Sequence, residues 1–351
     1  MEHESVAGLL WGLSCIIQPM KKFIVIALLF LSVAVVALSY GELENIVATL
    51  QKAHLRYLAL ALVVEALWLW NLGFTYKAIY HLLGIEEDRQ RLTLVASASN
   101  FVNIVAPTAG MSGIAIFAGE ARARGYPPGK ATLAGALFLL FDQAAFLIVL
   151  ALGWVVLWRR NNLNAGEISA SVLLIFTATF FASMLYLGYR SAERLGNALA
   201  RVARFVNKIL HPFLRHNYLS EERAHAFANE IGDGLAGMRD KPRELLMPFA
   251  HALLNKTLLM SILICSFLSF NVPFSAGTII AGWAIGYLFL IVSPTPNGIG
   301  IVEGVMPLVL TSLRVPVEAA VVITLIYRAV TFWVMLGVAT WSFRTLHLGE
   351  S

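Results

Sequence analysis

Long apolar runs follow one another along this chain with hardly a charge inside them. A helix crosses the hydrocarbon core of a bilayer with about 20 mostly apolar residues. Runs of that size lie at Phe23–Tyr40, 56–76, 131–157, 168–189, 246–270 and 317–343. The composition agrees. Of 351 residues, 58% are hydrophobic and 13% charged, where soluble domains average about 45–50% and about 25%. So few charges cannot cover a water-soluble surface, which excludes a cytosolic enzyme, a nucleic-acid binder and a disordered chain. The net charge of +5 then belongs to cytoplasmic loops facing anionic lipid, and no nucleic-acid partner is expected. The apolar run Val6–Ile17 is too short to span, so residues 1–19 read as an N-terminal extension or interfacial segment. With no small-x-small cleavage site after it, Phe23–Tyr40 reads as a retained span.

Two further apolar stretches are broken. Residues 92–120 are interrupted by Asn100, Asn103, Pro107, Gly110, Ser112 and Gly113. Residues 276–313 are interrupted by the run Ser293-Pro294-Thr295-Pro296-Asn297-Gly298-Ile299-Gly300. Proline removes a backbone donor, and freed polar groups inside a bilayer need partners or a water-filled cavity. Both stretches therefore read as re-entrant helical hairpins that return to their own side. The distribution of basic residues tests that topology. With the N-terminus inside, 19 Lys and Arg fall on the cytoplasmic side, 5 fall outside, and Lys256 and Arg328 lie within spans.

The broken stretches resemble each other. Ile104-Val105-Ala106-Pro107-Thr108, then Gly113-Ile114-Ala115-Ile116, answers to Ile291-Val292-Ser293-Pro294-Thr295, then Gly298-Ile299-Gly300-Ile301. Each leads through a proline-containing turn into a long helix with a charge at a matching place. Asp142 lies 35 residues after Pro107, and Arg328 lies 34 after Pro294. The expected fold is all-α and polytopic, with six full spans and two re-entrant hairpins in an inverted repeat. Residues 20–158 form the first copy and 159–351 the second. The second carries a polar insert at 190–243, whose apolar residues recur at helical spacing among Arg194, Arg201, Arg204 and Lys208, as in a helix lying on the cytoplasmic leaflet. Inverted repeats of this kind place binding sites near the midplane, where broken helices meet.

Ionisable groups inside spans are costly and mark functional sites by default. Glu65, Asp142, Lys256 and Arg328 stand out, Glu65 facing Lys256 and Asp142 facing Arg328 in the pseudo-symmetry. They have two readings. In one, Lys256 and Arg328 attract a lipid phosphate while the acids meet a cationic headgroup or a coupling proton. In the other, ion pairs lock the halves together. Glu303 follows the second break and either serves the same cavity or caps a half-helix start. Asn103, Thr108, Thr295 and Asn297 line that cavity or satisfy broken backbone. The glycine-rich runs lack the spacing of dinucleotide or phosphate-binding loops, so no cofactor, metal or catalytic residue is expected.

Pro294–Gly304, followed by a long helix with Tyr327-Arg328, resembles the C-terminal signature of the lysylphosphatidylglycerol synthase transmembrane family of flippase-like membrane proteins. Pro107–Gly113 fits the family's first broken segment. Two positions differ from the usual pattern: Asn297 stands where a glycine is common, and Leu140-Phe141 precede Asp142 where a basic residue is expected. The resemblance implies a multi-pass protein of a bacterial or archaeal cell membrane, with both termini cytoplasmic. It implies handling of a polar-headed lipid, an anionic or aminoacylated phospholipid among the candidates, and it covers no cytosolic synthase domain. The alternatives are a membrane-embedded enzyme or a non-catalytic partner in lipid or polyprenyl-glycan modification. Beyond lipid, the partners to consider are a second copy of the chain and a lipid-modifying enzyme.

Overall fold

A computed structural model describes residues 53–105, 111–159, 242–293 and 295–348, with scattered positions between 168 and 233. The chain divides into two units, Met1–Ala53 and His54–Ser351, and the described residues belong, Ala53 aside, to the second. The expected extension 1–19, the span 23–40, Pro294 and the first corner 106–110, with Thr108, lie outside the described residues. The span 168–189 and the insert 190–243 are described only in part.

Every regular element among the described residues is helical. The first long helix, α1, is Leu55–Leu82. A pair of shorter helices follows, α2 (Arg89–Val105) and α3 (Met111–Ala123), and then the long α4 (Pro128–Arg159). The second half repeats this order with α5 (Leu246–Ser269), the short pair α6 (Ala276–Val292) and α7 (Ile301–Ser312), and a last long rod. That rod is α8 (Val317–Arg328), a π-helical turn at Ala329–Val334, and α9 (Met335–Leu348). Four of these rods are long and apolar enough to cross a membrane: Leu55–Leu82, Gly129–Arg159, Arg243–Ser269 and Val317–Leu346. At 1.5 Å per residue, the 17, 13, 17 and 12 residues of α2, α3, α6 and α7 each fall short of a hydrocarbon core about 30 Å thick.

Local chemistry sets the helix ends. Asp88 Oδ2 accepts from the backbone N–H groups of Gln90 and Arg91 at 2.9 and 3.2 Å, capping α2. Ser275 Oγ accepts from Thr278 N at 3.1 Å and caps α6. Proline opens α4 at Pro128, where its missing N–H leaves nothing unsatisfied.

The long helices α1 and α5 lie antiparallel. His54 N, at the start of α1, donates to Ser269 O, at the end of α5, at 2.8 Å. Midway, Asn71 Nδ2 donates to Asn255 Oδ1 at 2.8 Å. The short pairs pack across the molecule: α2 meets α9, and α6 meets α4. Phe101 and Phe343 touch at 5.0 Å in the first contact, and Phe146 and Trp283 at 5.9 Å in the second. Gly282 and Gly286 let α6 and α7 approach closely, since a Cβ at 282 would meet Leu310 and one at 286 would press on Met306.

Two apolar clusters result. One joins α1, α2, α3 and the first half of α4 around Tyr76, Phe117 and Leu133. The other joins the rest of α4 to α5–α8 around Phe146, Trp283, Leu288 and Met306. Outward stripes of α1 (Leu60, Val63, Leu67), α4 (Ile148, Leu152, Val155) and the last rod (Trp333, Trp341) stay exposed. An apolar surface of that extent is what a lipid solvent accepts and water does not.

Candidate functional site

The second helix break is built by the residues that produce it. After α6 the chain leaves helical geometry at Ser293, whose ψ is 135°. Ser293 Oγ and Thr295 Oγ1 lie 2.7 Å apart, and Thr295 Oγ1 donates to Ile299 O at 2.9 Å. Asn297 then adopts φ 48° and ψ 33°, a left-handed conformation that asparagine tolerates better than most residues. Gly298 follows at φ +71°, and a Cβ there would also approach Leu290 Cα at 3.1 Å. The next half-helix is capped by its own third residue, as Gly300 N donates to Glu303 Oε2 at 2.7 Å.

Across the molecule, Asn103 near the end of α2 performs a related task. Its Oδ1 accepts from Gly113 N at 2.7 Å, bridging the first pair of half-helices. A Cβ at position 113 would meet Ser99 Oγ and the Asn103 amide, so a larger residue would push those side chains out of this arrangement.

Between the two pairs lies a cavity of about 260 Å³. Asn100 and Asn103 from α2 line it together with Thr295 and Asn297 from the second break. Glu65, Asp142, Gln143, Tyr327 and Arg328 add polar groups, and Leu72, Leu139, Leu259 and Leu290 supply apolar wall. Thr331 and Met335, in and just after the π-helical turn, complete it. Such turns recur at functional sites.

The ion pairs differ from those suggested by the repeat. Lys256 Nζ pairs with Asp142 Oδ1 at 2.7 Å, linking the second half to the first. The ammonium also donates to Tyr287 Oη at 2.8 Å and lies 4.2 Å from that ring's centroid. Arg328 Nε pairs with Glu303 Oε1 at 2.6 Å, and Nη2 donates to Asn297 O at 2.9 Å. Its guanidinium sits 4.9 Å from the Phe332 ring centroid. Lys256 and Arg328 are 1% and 2% exposed, so both charges depend on these partners. Glu65 pairs with neither cation. It is 5% exposed, and its Oε2 has no hydrogen-bond partner among the described residues. The pairing differs because helix rotation, not repeat register, decides which side chains meet.

Of the residues singled out from sequence, Glu65, Asn103, Asp142, Thr295, Asn297 and Arg328 line one cavity. Lys256 and Glu303 stand behind it, each holding a lining residue of opposite charge. Three features carried no signal of charge. Gln143 lines the cavity, and its Oε1 lacks a partner among the described residues. Trp283 stacks on Tyr287 at 4.8 Å and donates to Tyr327 Oη at 2.9 Å, backing the cavity wall. Asn71, Thr75, His251 and Asn255 knit α1 to α5 at their crossing. Uncharged amides inside apolar spans are the sequence signal that marks Asn71, Gln143 and Asn255.

At the outer ends of α2 and α3, Glu120 pairs with Arg91 at 2.6 Å and with Arg124 at 3.3 Å, stapling the two half-helices.

Residues 24–339 match the family described as lysylphosphatidylglycerol synthase TM region. No curated protein matches the chain.

Proposed function

Because the chain belongs to the lysylphosphatidylglycerol synthase transmembrane-region family, we propose that it moves a polar-headed lipid between the leaflets of a cell membrane. The headgroup passes through the cavity between the two broken helix pairs while the acyl chains stay in the bilayer. One observation carries this reading: α2 of the first pair and the unwound turn of the second line the same cavity, which brings charged and amide side chains together inside an otherwise apolar bundle. At about 260 Å³ it lies just below the usual range of ligand pockets, about 300–1,000 Å³, which suits a headgroup and excludes two acyl tails.

The two pairs are re-entrant hairpins of an inverted repeat, residues 20–158 and 159–351. The antiparallel run of α1 and α5 supports this, as does the crossed packing of α2 on α9 and α6 on α4. Both termini face the cytoplasm, supported by the 19-to-5 split of basic residues. Arg328 lines the cavity with Nε on Glu303 and Nη2 on Asn297 O, and its remaining nitrogen, Nη1, meets the lipid phosphate. An enzymatic role has less support, because its candidate acid–base residues, Asp142 and Glu303, are each held in an ion pair.

Purified protein in proteoliposomes tests the proposal. Fluorescent phospholipids bearing different headgroups should equilibrate between leaflets faster than in protein-free vesicles, with a headgroup preference. Equal rates with and without protein would overturn it.

A further inference from the structure

The cavity holds three carboxylate side chains on or just behind its wall, and two are spent. Asp142 answers Lys256, and Glu303 answers Arg328. Glu65 lines the cavity without a counter-ion among the described residues, and its Oε2 is buried without a hydrogen-bond partner. The amide oxygen of Gln143, on the same wall, is equally unpartnered. Two buried acceptors on one wall thus make no hydrogen bond among the described residues. An ionised carboxylate left alone in that setting is expensive, and a bound proton removes the cost.

The surroundings leave that as the available remedy. From α5, Lys256 is held by Asp142 and Tyr287, while His251 turns its Nδ1 to Asn71. From α4, Asp142 brings only negative charge, already matched. From α8, Arg328 is engaged by Glu303 and Asn297, and the Tyr327 hydroxyl, which accepts from Trp283, makes no hydrogen bond to Glu65 Oε2. From α2, Arg91 is drawn to Glu120, and Arg89 lies over Trp70 and Phe74. The π-helical turn carries no ionisable residue.

We infer that Glu65 is a proton-binding site of the cavity, protonated at rest and deprotonated during each passage of lipid. This rests on the transport reading above. In the step itself the carboxyl O–H bond breaks, its electron pair stays on the carboxylate, and the proton leaves to water. A cycle that carries one proton per lipid couples the lipid distribution to the pH gradient, up to about tenfold for a difference of one pH unit.

Two measurements separate this inference from the reading it rests on. The first needs no transport. Infrared difference spectroscopy of the purified protein should show a protonated carboxyl band that is lost in Glu65→Gln and kept in Glu120→Gln. It should return, displaced, in Glu65→Asp. Absence of the band from the wild type at every pH tested overturns the proposal. The second follows lipid movement and an entrapped pH dye in proteoliposomes under pH gradients of either sign. Wild-type movement should respond to the gradient with proton flux, whereas Glu65→Gln, which has no proton to release, should show neither proton flux nor a response to the gradient. Equal gradient dependence in the two proteins overturns the coupling, as does movement that follows sodium and ignores pH. A wild type that keeps the band yet moves no lipid overturns the transport reading and leaves the proton site standing.

Discussion

At the scale of single residues, the buried charges are matched in pairs, and each pair holds a different part of the site. Lys256 and Asp142 tie α5 to α4 across the two halves. Removing one member of a buried pair strands the other, at about 3–5 kcal/mol. Lys256→Met should therefore destabilise the protein by that amount in detergent unfolding, and Lys256→Met with Asp142→Asn should recover most of it. Arg328 uses two nitrogens in fixed directions, one to Glu303 and one to Asn297 O. Lysine keeps the charge but not the fork. Arg328→Lys should lose about 1.5–3 kcal/mol of stability, with lipid movement falling towards the protein-free rate. Full stability in that variant would mean that charge alone holds the turn.

These partners were only partly legible in the sequence. That Glu65, Asp142, Lys256 and Arg328 cluster follows from the cost of charge in hydrocarbon. Which acid meets which base depends on how each helix is rotated about its axis, and apolar spans this uniform carry little trace of that rotation. Glu303 was visible both as a cap and as a cavity residue. It caps Gly300 and holds Arg328, and it stands behind the cavity wall.

At the scale of elements, the unwound turn at 293–300 owes its shape to a few backbone conformations. Asn297 at φ 48° and Gly298 at φ 71° reverse the handedness of the chain for two residues. Asn297→Ala should cost about 1–2 kcal/mol, because a Cβ without a polar side chain disfavours that region. Asn297→Gly should be close to neutral, and thermal unfolding of the two variants side by side measures the difference. Glu303 separates capping from charge. Glu303→Gln keeps a cap for Gly300 N but deprives Arg328 of its counter-charge, while Glu303→Ala removes both and should be the less stable of the two. This break could be read from the sequence because proline, glycine and asparagine announce it. The π-helical turn at Ala329–Val334 could not, since Ala-Val-Thr-Phe-Trp-Val reads as unbroken apolar helix. It is nonetheless where Thr331 reaches the cavity, three residues after Arg328.

At the scale of the whole molecule, two pairs of half-length helices stand among rods long enough to cross a membrane, and a cavity edged by charged and amide side chains lies where the pairs approach. The apolar stripes of α1, α4 and the last rod suit a lipid solvent, and on the transport reading proposed above the cavity gives a headgroup a route that the hydrocarbon denies it. A bulky side chain inside the cavity should close that route, and the same side chain on the lipid face should not. Leu139 lines the cavity, and Leu152, on the same helix, is 52% exposed. The most direct test measures leaflet exchange of a fluorescent phospholipid in vesicles holding the wild type, Leu139→Trp or Leu152→Trp, each first shown to be folded. Exchange should fall to the protein-free rate in Leu139→Trp and stay at the wild-type rate in Leu152→Trp. Undiminished exchange with the cavity filled would mean that headgroups cross elsewhere, and the account would fail.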